Sequence, residues 1–210
     1  MVISIASQKG GTGKTSTTIS LAAGLAHRGK KVLLIDIDSQ ANSSKVLLPN
    51  YVALRKEDTL YVTILEKKAL PIRSTSISNL DIVPAHILLS HTDVELTTAI
   101  DHREERLKNK LDSVKGKYDY ILIDCPPALS WLTINAFTAS DQVLVNTRPV
   151  RFPPCAAGAS PTIYTRAFGS PHPGTGLPQY SSPRYIRRFS NATFSRNSTS
   201  RGHFVHVIIV

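Results

Sequence analysis

Acidic residues are missing from the last third of this chain. All fifteen Asp and Glu lie at or before Asp141, and the 69 residues from 142 to 210 hold eight Arg, no Lys and no acid. The net charge of +10 is therefore unevenly placed: residues 1–141 carry 17 Lys and Arg against 15 acids, and the excess sits in the tail. A nucleic-acid reading of the bulk charge weakens accordingly for the N-terminal part. Cysteine is scarce too. Cys125 and Cys155 alone exclude a disulfide framework and a spaced metal-ligand set, and Cys125 within D-C-P-P reads as a small buried residue. Long apolar runs are also missing, none approaching the roughly 18 residues of a membrane span. Val2–Ala6 is too short for a secretory leader and runs into Lys9, so no membrane partner and a cytoplasmic location are expected. What is present is a 41% apolar content, enough for a core.

The first 147 residues alternate strand and helix signals at short intervals, the pattern of an α/β fold with a mostly parallel sheet flanked by helices. Strands are predicted at Val2–Ala6, Lys31–Ile37, Leu80–Val83, Tyr118–Asp124 and Gln142–Val145. A helix is predicted from Lys14 to about His27, with Ile19, Leu21, Ala22 and Leu25 as its apolar stripe. A weak helical stretch lies near 58–68. Thr92-Asp-Val-Glu95 has the capping-box form and predicts a long polar helix to about Val114, and Ser130 to about Thr138 a short one.

The pattern stops near Pro149. Eight of the 13 prolines fall in residues 149–210, a density that packed α/β layers do not accommodate. Only His203–Val210 reads as strand-like, and it stands isolated. At average usage, 69 residues without Asp, Glu or Lys are expected far less than ~1% of the time. Two domains follow: 1–147, an ordered α/β domain, and 148–210, a basic Pro/Ser/Arg-rich tail expected to be irregular and disordered. The sharp boundary points to translation in a shifted reading frame from about residues 147–153 onward, the alternative being a natural basic extension.

Gln8-Lys-Gly-Gly-Thr-Gly-Lys-Thr15 sits between a buried strand and a helix, the context in which a glycine-rich phosphate loop is credible. Gly10, Gly11 and Gly13 let backbone N–H groups turn inward around phosphate oxygens, and the helix adds its positive end. The binding set is Gly10, Gly11, Thr12, Gly13, Lys14, Thr15 and Ser16. Lys14 would neutralise the β- and γ-phosphates, and the Thr15 hydroxyl would ligate Mg²⁺. A simple glycine turn with a chance Lys-Thr is the bland reading. Asp36 and Asp38 close a strand at the end where open α/β sheets place ligands; two residues apart, they share one face. Asp124 ends Y-D-Y-I-L-I-D and would hold the same metal through water. Asn109-Lys-Leu-Asp112 spells the guanine-reading N-K-x-D, but in a helix and ahead of the Asp124 strand, so it reads as a solvated helix face.

K-G-G-x-G-K-T, with Gln8 in place of the usual first glycine and an extra lysine at Lys9, resembles the deviant Walker-A loop of the ParA/MinD superfamily. L-I-D-I-D-S-Q-A-N resembles the family's L-I-D-x-D-P-Q-x-N, with Ser39 for the usual Pro. D-C-P-P-A-L-S with Leu132 and Asn135 resembles D-x-P-P-x-L…N. The resemblance spans about residues 1–147, and Leu80–His86 with the helix after it fits the Soj/ParA partitioning branch. It implies a P-loop ATPase using ATP and Mg²⁺, with adenine chosen by resemblance alone. It further implies catalytic roles for Lys9, reaching across an ATP-dependent homodimer, for Lys14, and for Asp38, positioning the attacking water with Asp36 as its supporting neighbour; Thr15, Asp36 and Asp124 form the expected metal set. A ParB-like activator and nonspecific DNA are the implied partners, in chromosome or plasmid partitioning. A truncated or frame-shifted remnant that binds nucleotide without turnover is the alternative.

Overall fold

A computed structural model describes residues 1–7, 9–99, 101–147 and 206–209. The strands are β1 (Val2–Ala6), β2 (Val32–Asp36), β3 (Arg73–Ser74), β4 (Leu80–Val83), β5 (Tyr120–Asp124), β6 (Gln142–Thr147) and β7 (His206–Ile209). The helices are α1 (Lys14–His27), α2 (Asn42–Leu47), α3 (Leu60–Leu65), α4 (Thr92–Thr98), α5 (Arg106–Leu111) and α6 (Trp131–Ala139). They form one seven-stranded sheet in the order β3-β4-β2-β5-β1-β6-β7. The five strands from β4 to β6 run parallel, and the two edge strands run antiparallel.

The sheet divides the core in two. Along β2, Leu33 and Ile35 face one apolar cluster while Val32 and Leu34 face the other, the period-2 alternation of a strand buried on both sides. On one side α1 packs through Ala22 and Ala26. On the other, Leu60, Ile64, Leu96, Leu107, Leu111, Leu132 and Ala136 bring in α3 to α6. The buried row of α1 is Lys14, Thr18, Ala22 and Ala26, and Ile19, Leu21 and Leu25 are only partly buried beside it. Small side chains spaced four apart let this helix approach the sheet closely; the larger apolar residues fill its flanks.

The single helix expected over 92–114 is two helices. α4 ends at Thr98, where Ala99 turns extended, and the Arg103 guanidinium donates to the carbonyls of Leu96, Thr97 and Ala99. Leu96 O also accepts from Ala99 N–H; the guanidinium adds a donor for carbonyls that lack intrahelical partners at a helix end. Nor does Thr92 act as a cap: it already has helical torsions, follows a 3₁₀ turn over Ile87–His91, and donates its hydroxyl to Leu89 O at 2.6 Å. The strand-like C-terminal stretch is not isolated. Residues 206–209 pair antiparallel with Leu144–Thr147, giving the edge of β6 the backbone partners an open edge lacks. The expectation of an irregular tail falls on residues 148–205, outside the described residues.

Candidate functional site

Register places the chemistry before any side chain is considered. Asp36, at the end of β2, and Ile5, in β1, both pair with Asp124 at the end of β5. The carboxylates of Asp36 and Asp124 therefore stand on adjacent strand tips beside the loop that leaves β1, at the carboxyl end of a parallel sheet.

That loop turns through left-handed glycines, Gly11 at φ 66° and Gly13 at φ 86°, a conformation side chains resist. Gly13 caps α1 without a side-chain hydrogen bond. The first intrahelical bond runs from Thr17 N–H to Gly13 O at 2.8 Å, so the N–H groups of Lys14, Thr15 and Ser16 precede it and face outward from a helix N-terminus. Lys14 is 8% exposed and Thr12 6%, whereas Lys9, Gly10, Gly11, Gly13 and Ser16 are exposed and Thr15 half-buried. Thr12 donates to Lys9 O at 3.3 Å, and Lys9 N–H donates to Ser7 Oγ at 3.4 Å, which rigidifies the loop's first turn. Gln8 lies outside the described residues.

Around the acids the hydrogen bonds are dense. Asp36 is fully buried; its Oδ1 accepts from Asp38 N–H at 3.2 Å, and its Oδ2 accepts from Ser44 N–H at 2.9 Å and Ser44 Oγ–H at 2.7 Å. Asp124 accepts from Ser43 Oγ–H at 2.7 Å and, at 3.5 Å, from Thr18 Oγ–H; the Thr15 hydroxyl also donates to it. Asp38 is buried, and its Oδ1 accepts from Gln40 N–H at 2.9 Å. Burial, and then the neighbouring Asp124 charge, push the Asp36 pKa up to about 7. Asp124 is raised as well, first by burial, with Asp38 adding to the rise and Ser43, Thr15 and Lys14 opposing it. Burial also pushes the Cys125 thiol up, leaving it inert.

The donors fit magnesium carried by a nucleotide. Among the described residues, no group of three or more His, Cys, Asp or Glu is spaced to hold a metal alone. Magnesium seldom needs such a cage, binding through one or two carboxylates, a hydroxyl, waters and substrate phosphates. Asp36 and Asp124, both with raised pKa values, and the buried Asp38 beside one buried lysine are a site that a cation would stabilise. Of the expected residues, the fold gathers Lys14, Thr15, Asp36, Asp38 and Asp124, with Gly10–Gly13 and Ser16 forming the adjoining loop. Ser43, Ser44 and Thr18 were not anticipated. Serines in a six-residue helix carry no motif; only a predicted pairing of β2 with β5 could have drawn attention to them.

Comparison with known proteins agrees with this geometry. The AAA_31 family, described as an AAA domain, matches residues 1–159. The chain is 46% identical over 149 residues to the sporulation initiation inhibitor protein Soj of Bacillus subtilis, covering 69% of this chain and 56% of that one. It is 44% identical over 140 residues to the chromosome-partitioning ATPase Soj of Treponema pallidum, covering 66% and 53%. The chain belongs to the ParA/MinD family of partitioning ATPases. Among solved structures, this ParA-family chain is similar to cobyrinic acid a,c-diamide synthase from Mycobacterium smegmatis with a bound ATP analogue and magnesium. That likeness has a TM-score of 0.62 at 32% identity and covers 69% of this chain and 58% of that one. A second protein name on one fold shows why the site, and not the architecture, must carry the function. The ParA-family chain spans about half the length of the curated relatives it matches. No helix among its described residues is long and apolar enough to cross a membrane.

Proposed function

We propose that the chain binds ATP with Mg²⁺ on the Gly10–Ser16 loop and hydrolyses it in the service of DNA partitioning. The observation that carries this reading is Lys14, a buried ammonium at the N-terminus of α1, near enough to Asp124 to lower its pKa. Loop N–H groups and Lys14 take the β- and γ-phosphates. Thr15 and Asp124 hold the metal, which neutralises charge on the phosphates. Asp36, fully buried and accepting three hydrogen bonds from Asp38 and Ser44, supports Asp124 and the Asp38 turn. Asp38 orients a water for in-line attack on the γ-phosphorus: a bond forms from the water oxygen to phosphorus, the bond to the β-phosphate oxygen breaks, and ADP and phosphate leave. Lys9, exposed on the loop, is assigned to the partner's nucleotide in an ATP-dependent homodimer. A ParB-like activator and nonspecific DNA complete the system, in a cytoplasmic setting.

Most of residues 148–210, beyond the family match that ends at residue 159, is assigned to a segment read in a shifted frame. This favours a second reading, a remnant that binds nucleotide without turnover, because the curated matches extend over only about half of the relatives. Single-turnover hydrolysis of ATP, with and without DNA and a ParB-like protein, separates the two. Phosphate release that falls at least tenfold in Asp38→Ala supports the ATPase; tight ATP binding with no release supports the remnant.

A further inference from the structure

Consecutive serines address both strand-tip acids. Ser43 and Ser44 occupy the first turn of α2, and both are fully buried. Neighbouring side chains on a helix point about 100° apart, so one turn reaches two strands: Ser43 Oγ–H donates to Asp124 and Ser44 Oγ–H to Asp36, each at 2.7 Å. Their surroundings differ. Ser44 also accepts from Ala85 N–H at 2.9 Å and donates its own N–H to Asp36, tying the exit of β4 to the tip of β2. Ser43 touches the acid that shares the Thr15 hydroxyl. The turn is held in a costly shape, because the residue before α2, the buried Ala41, sits at φ 52° and ψ 38°. A left-handed alanine is strained and persists only where its surroundings fix it.

We propose that Ser43 is a positioning residue for magnesium: its hydroxyl holds Oδ2 of Asp124, so that the carboxylate meets the metal in one orientation. Ser44, by contrast, serves the fold. The inference rests on the nucleotide–magnesium reading above. Hydrogen bonds to a metal-binding carboxylate typically shift metal affinity 10–100-fold.

The test uses the full chain and a fluorescent ATP analogue, titrated first in EDTA and then with Mg²⁺. Ser43→Ala is expected to bind the analogue in EDTA within about twofold of wild type, yet to need about tenfold more Mg²⁺ for the half-maximal response. Ser43→Thr, which keeps the hydroxyl, is expected to restore the wild-type requirement. Ser44→Ala is expected to lower the melting temperature and leave the Mg²⁺ midpoint of its folded fraction unmoved. Should Ser43→Ala lose its cooperative melt, Ser43→Cys, nearly isosteric and a poor donor, carries the same expectation. An unchanged Mg²⁺ midpoint in the hydroxyl-free variant overturns the proposal, as does equal weakening with and without metal. Wild-type protein that binds no analogue under either condition overturns the nucleotide reading and this proposal together.

Discussion

Lys14 is a charged side chain held at 8% exposure, close enough to Asp124 for the two charges to interact; in the proposed reading a phosphate completes its environment. The same burial makes the acids sensitive to pH. Asp36 holds its proton up to about pH 7, against an ordinary value near 3.8. Between those values the folded chain carries a proton that the unfolded chain has released, so stability falls as pH rises across the window; the raised Asp124 acts in the same direction. The Asp36 difference corresponds to on the order of 4 kcal/mol. Urea denaturation in EDTA at pH 5 and pH 8 should show the metal-free protein more stable at pH 5, and Asp36→Asn should flatten the difference. Greater stability at pH 8 would contradict the buried-acid account. On the proposed roles, Lys9→Ala should keep ATP affinity within about threefold and lose at least tenfold in hydrolysis rate, read by parallel binding and phosphate-release assays.

At the scale of elements, legibility followed range. The Gly-Lys-Thr loop and the acids at strand ends announce themselves, because their chemistry is carried by a few adjacent residues. The five parallel strands are legible to within two residues because their apolar runs are short and sharply bounded, as in Val32–Asp36, whereas the two-residue edge strand Arg73–Ser74 carries no such run. The break between α4 and α5 was not legible. It depends on Arg103 reaching back to α4 and on Asn135, whose Oδ1 accepts from Leu107 N–H at 3.2 Å while Nδ2 donates to Arg103 O and Trp131 O. Leu107 and Arg103 lie 28 and 32 residues from Asn135 along the chain, beyond any local period. Asn135 is fully buried, so Asn135→Ala should cost about 2–3 kcal/mol by leaving Leu107 N–H and Arg103 O unpaired. The melt should loosen α5 first, visible as lost amide protection over residues 106–111. Protection there equal to wild type would contradict the clamp.

For the whole molecule, the sheet order sets the outcome. Five parallel strands put three acids and a glycine loop at one end, and the core on either side of β2 keeps that end rigid. Family membership follows from residues 1–159, whereas the unusual composition begins after Asp141. Sequencing the coding DNA across codons 145–155 should reveal a one-base change that restores acids and lysines downstream. An uninterrupted frame shared by close relatives would remove the shifted-frame account and leave the N-terminal site untouched.

The central claim concerns a triphosphate and its metal on the loop after β1. Calorimetric titration of ATP with Mg²⁺ into the full chain, beside Lys14→Ala, tests it directly. Saturable one-site binding by wild type, weakened at least about a hundredfold in the variant by loss of a charge-assisted phosphate contact of about 3 kcal/mol, is the expected result. No heat of binding in wild type, or equal affinity in Lys14→Ala, would contradict the account.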